Sequence, residues 1–238
     1  MNLMVRPSKS FLFDRIEKFL VPVRDGIGLD AGSADFKLRK VFKTDQYFGL
    51  DIDLERLKKG MARHASDSKV FGIMADLSRL DSLPDNSFDV IVSANTLYAL
   101  APEFRLRAIR HLCRLAAPGG RLLVELSLDE SFNSYLQLIK KNFSAVKVIY
   151  YRNIISRIYE GIFEREGYLG SHPIAGRRPF RWLAWMLSRS EYLTCHWLRG
   201  NRQVFITGQI KDKVRLRNNF NLTRFPLAGE RIYNLLTK

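Results

Sequence analysis

Three aspartates, Asp30, Asp51 and Asp76, stand at or near the ends of short apolar runs, "GIGLDA", "YFGLDI" and "KVFGIMADL". Carboxylates at the carboxyl ends of neighbouring strands line the crevice where open α/β sheets hold their ligands. Asp51 follows Gly32 by 19 residues (32 to 51). That separation suits an acid accepting both hydroxyls of a ribose, because a carboxylate takes two donors. Asp76 is placed to accept from an adenine amine while the backbone N–H of Leu77 donates to a ring nitrogen.

The loop after Asp30 admits two parses. Read from Gly26, it is Gly-x-Gly-x-x-x-Gly, close to the fingerprint that sets a pyrophosphate on a helix start. That parse needs a buried strand before Gly26, where "LVPVRD" stands instead. Pro22 removes a ladder donor, Arg24 and Asp25 bring charge, and Asp30 would repel the phosphate. Read from Leu29, "GIGL" is the strand and "DAGS" the turn, with Gly32 letting the backbone approach a ligand. We adopt the second parse.

Around these residues the chain alternates β-rich runs with helical stretches, the pattern of a parallel sheet built from βαβ units. Helices are expected over "SFLFDRIEKFL", "FKLRKVFK", "LERLKKGMARHA" and "EFRLRAIRHLCRLA", the last ended by Pro118, Gly119 and Gly120. Strands are expected over the three runs above, "FDVIVS" and "RLLVELSL". Beyond these, "SFNSYLQLIKKNF" and "RNIISRIYEGIFERE" read as helices and "AVKVIYY" and "RQVFITGQI" as strands. Residues 152–191 read as a basic, aromatic cap or insertion, and 213–238 as a basic, poorly periodic tail whose end is expected to be mobile.

Together "LDAGSADF", "YFGLDID", "ADLSRLDSLPDNSFDVIVSANTLYAL" and "LAAPGGRLLVE" resemble the class I S-adenosylmethionine-dependent methyltransferase family over roughly residues 26–126. The resemblance implies a Rossmann-like α/β three-layer sandwich within residues 1–212. Its sheet would be seven-stranded and mostly parallel, with "RQVFITGQI" the antiparallel last strand. It further implies S-adenosylmethionine as cofactor. Asp30, Ala31, Gly32 and Ser33 would pass beneath the methionine part, Asp51 and Ile52 would meet the ribose and adenine, Asp76 and Leu77 the adenine edge, and Asn95 the methionine group. The family loop carries glycines where this chain has Ala34 and Phe36.

Methyl transfer from a sulfonium is an in-line displacement with a neutral thioether leaving, so alignment supplies much of the rate and a base is optional. Tyr98, Glu125 and His172 are the candidates for a chemical role, each against ordinary packing or hydrogen bonding. Asp89 reads as a strand-start acid serving structure, and Asp81 and Asp85 as solvated turn residues. Cys113 and Cys195 form no C-x-x-C and no histidine stands at metal spacing, so neither a disulfide framework nor a metal site is expected.

Charge divides the chain. Residues 1–130 carry 20 Lys+Arg against 18 Asp+Glu, and residues 131–238 carry 19 against 6, so +13 of the net +15 sits in the second part. A basic half suits a phosphate-bearing partner: a small-molecule, glycan or lipid-linked anionic acceptor, a membrane surface met through 177–189, or RNA. In "RRPFRWLAWMLSR" the arginines and aromatics fit a packed helix with solvated arginines, a lipid interface, or stacked bases. A protein that keeps the fold without turnover is a further alternative. The N-terminal stretch mixes charge into its apolar residues and lacks a small-residue cleavage site, so the expectation is a cytoplasmic protein, able to lie at the inner face of a membrane.

Overall fold

The computed structural model describes residues 4–163, 173–210 and 231–236. Two compact units divide the chain: Met1–Lys18 with Val148–Phe205, and Phe19–Lys147 with Ile206–Lys238. The second unit holds the motif-bearing strands: β1 (Ile27–Ala31), β2 (Gln46–Asp51), β3 (Val70–Met74), β4 (Phe88–Ser93) and β5 (Ala116–Ser127). The short apolar runs are buried on both faces, as parallel strands between helices must be. Leu29, Leu50, Ile73, Ile91 and Leu123 are all fully enclosed.

The sheet has eight strands in the order β6-β7-β5-β4-β1-β2-β3-β8, with β6 (Lys147–Tyr151), β7 (Gln203–Gln209) and β8 (Ile232–Asn234). Pairs β1–β2, β1–β4, β2–β3, β4–β5 and β3–β8 are parallel. At one end of β7 the Arg202 N–H donates to the Tyr151 carbonyl (3.2 Å); at the other, Ser144 N–H donates to Gln209 (3.2 Å) and Ile210 N–H to Gly120 (2.9 Å). Those contacts run β7 opposite to both β6 and β5, so "RQVFITGQI" is the antiparallel strand. The Rossmann-like α/β expectation holds, with eight strands rather than seven. The extra one, β8, lies in the stretch read as a tail, whose residues 213–230 and 237–238 fall outside the described residues.

Helices α1 (Pro7–Leu20), α2 (Leu54–Arg63), α3 (Pro102–Leu115) and α4 (Phe132–Asn142) form where the apolar period predicts. Asp53 caps α2 by accepting the Arg56 N–H (3.1 Å). Two expectations fail. Helix α3 stops at Leu115, and Pro118, Gly119 and Gly120 lie inside β5, where the ladder to β4 slips between Phe88 and Val90. The "FKLRKVFK" stretch forms turns, not a helix: Arg39 N–H returns to Phe36 O (3.1 Å) and Val41 N–H to Leu38 O (2.9 Å).

Residues 154–163 and 173–194 of the first unit form α5 (Ile154–Phe163), a 3-10 turn (Pro173–Gly176), α6 (Arg178–Leu187) and α7 (Arg189–Thr194). Among the described residues no helix is long and apolar enough to cross a membrane.

Candidate functional site

β1, β2 and β3 are consecutive in the sheet, and their carboxyl ends bring the three aspartates together. Gly49 of β2 pairs with Asp30, Met74 of β3 pairs with Asp51, and the Ala75 N–H donates to the Asp51 carbonyl (3.0 Å). The N–H groups of Gly32 and Ser33 both donate to Leu50 O (2.7 and 2.9 Å), so the chain leaving β1 folds across the end of β2. Gly32 has φ +82, and a Cβ there would lie 2.1 Å from Thr96 Oγ1. Only glycine fits, because the loop after β4 presses on it: Thr96 Oγ1 is 3.1 Å from Ala94 O and 3.3 Å from Gly32 O.

Asp51 is tied to this loop. Its Oδ2 accepts the Ala34 N–H (2.8 Å) and its Oδ1 the Asp53 N–H (3.1 Å). A carboxylate has about four acceptor positions, so two such bonds leave it capacity for ribose hydroxyls. Ile52 beside it is 60% exposed, an apolar surface next to a polar clamp. Asp76 Oδ1 accepts from both N–H and Oγ of Ser78 (2.8 Å each), while Leu77 is buried. The residue types fit an adenosine: acceptors for the sugar and an apolar platform for the base.

Asp30 is turned inward. It is 2% exposed and accepts from the Tyr47 hydroxyl (2.7 Å). Burial pushes its carboxyl up to about 7, against the lowering effect of the Tyr47 bond, with a further rise from the charge of Asp51. Ala31 is buried at the end of β1, and Ser33 is buried, its Oγ without a hydrogen-bond partner among the described residues.

Gly32, Ala34 and Phe36, the family's three glycine positions, have φ +82, +48 and +60. The backbone keeps the left-handed turns of a glycine loop although only one glycine remains. Phe36 does not enter the crevice. Its ring meets Tyr47 edge-on (5.4 Å between centroids) and occupies the space over Gly49 and Gly60, where a Cβ would come within 2.2 and 2.6 Å of it.

On the side of β4, Asn95 also adopts a left-handed backbone (φ +58), and its N–H donates to Glu125 Oε2 (2.5 Å). Glu125 is buried, so the structure gives it a backbone-holding contact. Tyr98 lies in a 3-10 turn (Leu97–Ala99) and is 51% exposed. His172 lies outside the described residues. Asp89 accepts the Ile27 N–H (2.7 Å) at the start of β1, the structural role expected of it. Asp85 pairs with Arg114 rather than standing in solvent alone.

Sequence reading missed three residues. Tyr47 partners Asp30, and Thr96 locks Gly32. Arg105 of α3, itself buried, donates to the carbonyls of Leu97 (2.9 Å), Tyr98 (3.3 Å) and Leu100 (2.9 Å) and pairs with Asp129. An arginine within an apolar helical period was the one available signal for the last.

A family model for a methyltransferase domain matches residues 26–124. That match covers the stretch carrying β1 to β4, most of β5 and the three aspartates, less than half of the chain. Solved structures share the fold of this chain. The N-methyltransferase NodS from Bradyrhizobium japonicum, bound to S-adenosylhomocysteine, is 12% identical with TM-score 0.54, covering 87% of this chain and 89% of its own. The [4+2]-cyclase SpnF is 16% identical with TM-score 0.53, covering 84% and 81%. A phosphoethanolamine N-methyltransferase 2 from Haemonchus contortus, holding phosphomonomethylethanolamine and S-adenosylhomocysteine, is 16% identical with TM-score 0.51; the match covers 86% of this chain and 53% of that one. Identities this low speak for the fold alone. Comparison with curated proteins finds no match.

Proposed function

We propose that this protein is an S-adenosylmethionine-dependent methyltransferase that transfers the methyl group to an anionic small-molecule, glycan or lipid-linked acceptor in the cytoplasm. The observation that carries the cofactor half is the junction of β1 and β2: the Gly32–Ser33 turn lies across the end of β2, beside the Asp51 carboxylate and the exposed Ile52. In this reading Asp51 accepts the ribose hydroxyls, and Ile52 with Leu77 bounds the adenine. Asp76 accepts the base amine, and Asp30, Ala31, Gly32 and Ser33 underlie the methionine part. Asn95, its backbone N–H fixed on Glu125, faces the reacting end. The cofactor supplies a methyl group on a charged sulfur; the residues of the chain align it and keep water away.

Support for an anionic acceptor comes from the +13 charge of residues 131–238. The Haemonchus enzyme of the same fold holds a phosphorylated amine. The same charge supports a second reading, in which the acceptor is RNA. Titration calorimetry of the full chain with S-adenosylmethionine tests the cofactor half, and absence of heat at saturating cofactor overturns it. Incubation with methyl-labelled cofactor and fractionated extract tests the acceptor half. Label is expected in the lipid, glycan or small-metabolite pool; label in RNA, with affinity falling steeply as salt is added, decides for the second reading.

A further inference from the structure

Helix α5 is built inside out. Its inward face carries polar residues: Ser156 N–H donates to Asn153 Oδ1 (3.0 Å), Ser156 Oγ donates to Glu191, and Glu160 accepts the Ser8 N–H (3.2 Å) and pairs with Arg152 (2.9 Å). Its outward face carries isoleucines. Ile154, Ile158 and Ile162, at successive i, i+4 positions, are 62, 60 and 68% exposed, with Ile155 beside them. A surface helix normally turns its apolar stripe to the core. A contiguous stripe turned to water marks a site for an apolar partner.

The neighbour within the same unit repeats the pattern with a basic rim. Helix α6 packs on α5, where the Tyr159 hydroxyl donates to Phe180 O (3.1 Å) and Phe163 meets the Phe180 ring edge-on (5.4 Å). Outward it presents Trp182 and Met186, flanked by exposed Arg177, Arg178 and Arg181. Residues 173–205 contain six arginines and a single acid, Glu191, which is fully buried. Exposed charge on this stretch is therefore of one sign. Apolar side chains, tryptophan and arginine together fit the boundary of a bilayer with negative headgroups. A second copy of the chain would bring the same positive charge against it.

We propose that the α5–α6 face docks on the surface of an anionic phospholipid bilayer. Docking is independent of which acceptor receives the methyl group. All three tryptophans of the chain, Trp182, Trp185 and Trp197, lie in this unit, so intrinsic fluorescence reports on it alone. The full chain is sedimented with vesicles of phosphatidylcholine, with and without phosphatidylserine, and its tryptophan emission is read with brominated acyl chains. Expected are binding to the phosphatidylserine vesicles, loss of binding with added salt, and quenching by bromine. The double variant Ile158→Glu, Ile162→Glu binds at least about tenfold more weakly, since charge is placed where the acyl boundary would lie. Both side chains are exposed, so the variant keeps its circular dichroism and its cofactor affinity. Three results overturn the proposal: no sedimentation with either vesicle, equal binding to both, or a dimer in solution that the same double variant dissociates.

Discussion

Asp30 is a carboxylic acid kept away from water, and pH exposes the cost. Its folded value near 7 stands above the ordinary 3.8, so the folded chain holds this proton more tightly than the unfolded chain does. The contribution is complete below about 3.8 and disappears as pH rises through 7. The shift corresponds to roughly 4 kcal/mol of stability lost across that window. Asp30→Asn cannot ionise yet still accepts from Tyr47. Urea unfolding at pH 5 and pH 8 should therefore show less loss of stability with rising pH in the variant than in the parent. The glycine positions make a second residue-scale prediction. Ala34 has a left-handed backbone, so Ala34→Gly should stabilise by about 0.5 to 1 kcal/mol, strain relief outweighing added chain entropy. Gly32→Ala meets both the φ penalty and the Thr96 side chain, and should lose at least about 2 kcal/mol together with cofactor binding. Thermal unfolding and calorimetry read both changes.

Among the elements, the strand ends were legible because buried parallel strands write themselves as apolar runs, and a polar residue interrupting such a run is conspicuous. Asp51 and Asp76 are visible for that reason. "FKLRKVFK" misled because its period is helical, while its conformation is decided elsewhere. Gly49 and Gly60 leave a hole that Phe36 fills, with the backbone of Phe36 turned left-handed. Nothing local announces two glycines that lie 13 and 24 residues further on (36 to 49 and 36 to 60). Arg105 was equally hidden, since its partners are backbone carbonyls that carry no sequence signal. It gathers the turn bearing Tyr98, and Arg105→Met should cost about 2 to 3 kcal/mol by leaving those carbonyls without their donor. Its melting temperature should fall, and cofactor affinity should change less than with Asp51→Ala, which we expect to weaken binding more than about tenfold.

At the scale of the whole chain, the order of the first five strands and the partition of charge were readable, because each sums over many residues. The eighth strand was not. Three residues among basic, aperiodic sequence carry no period, and β8 exists through pairing with β3: Gly72 N–H donates to Arg231 O and Leu235 N–H to Met74 O (2.8 Å each). Arg231 adds a bond to Asp67 O. This small strand shields the flank of the sheet next to Asp76. A chain cut before residue 231 would present the row of amides and carbonyls of β3 to whatever strand came by, and such an open flank invites self-association. Light scattering of the shortened protein should rise with concentration where the full chain stays monodisperse, so the last few residues act as a guard against clumping.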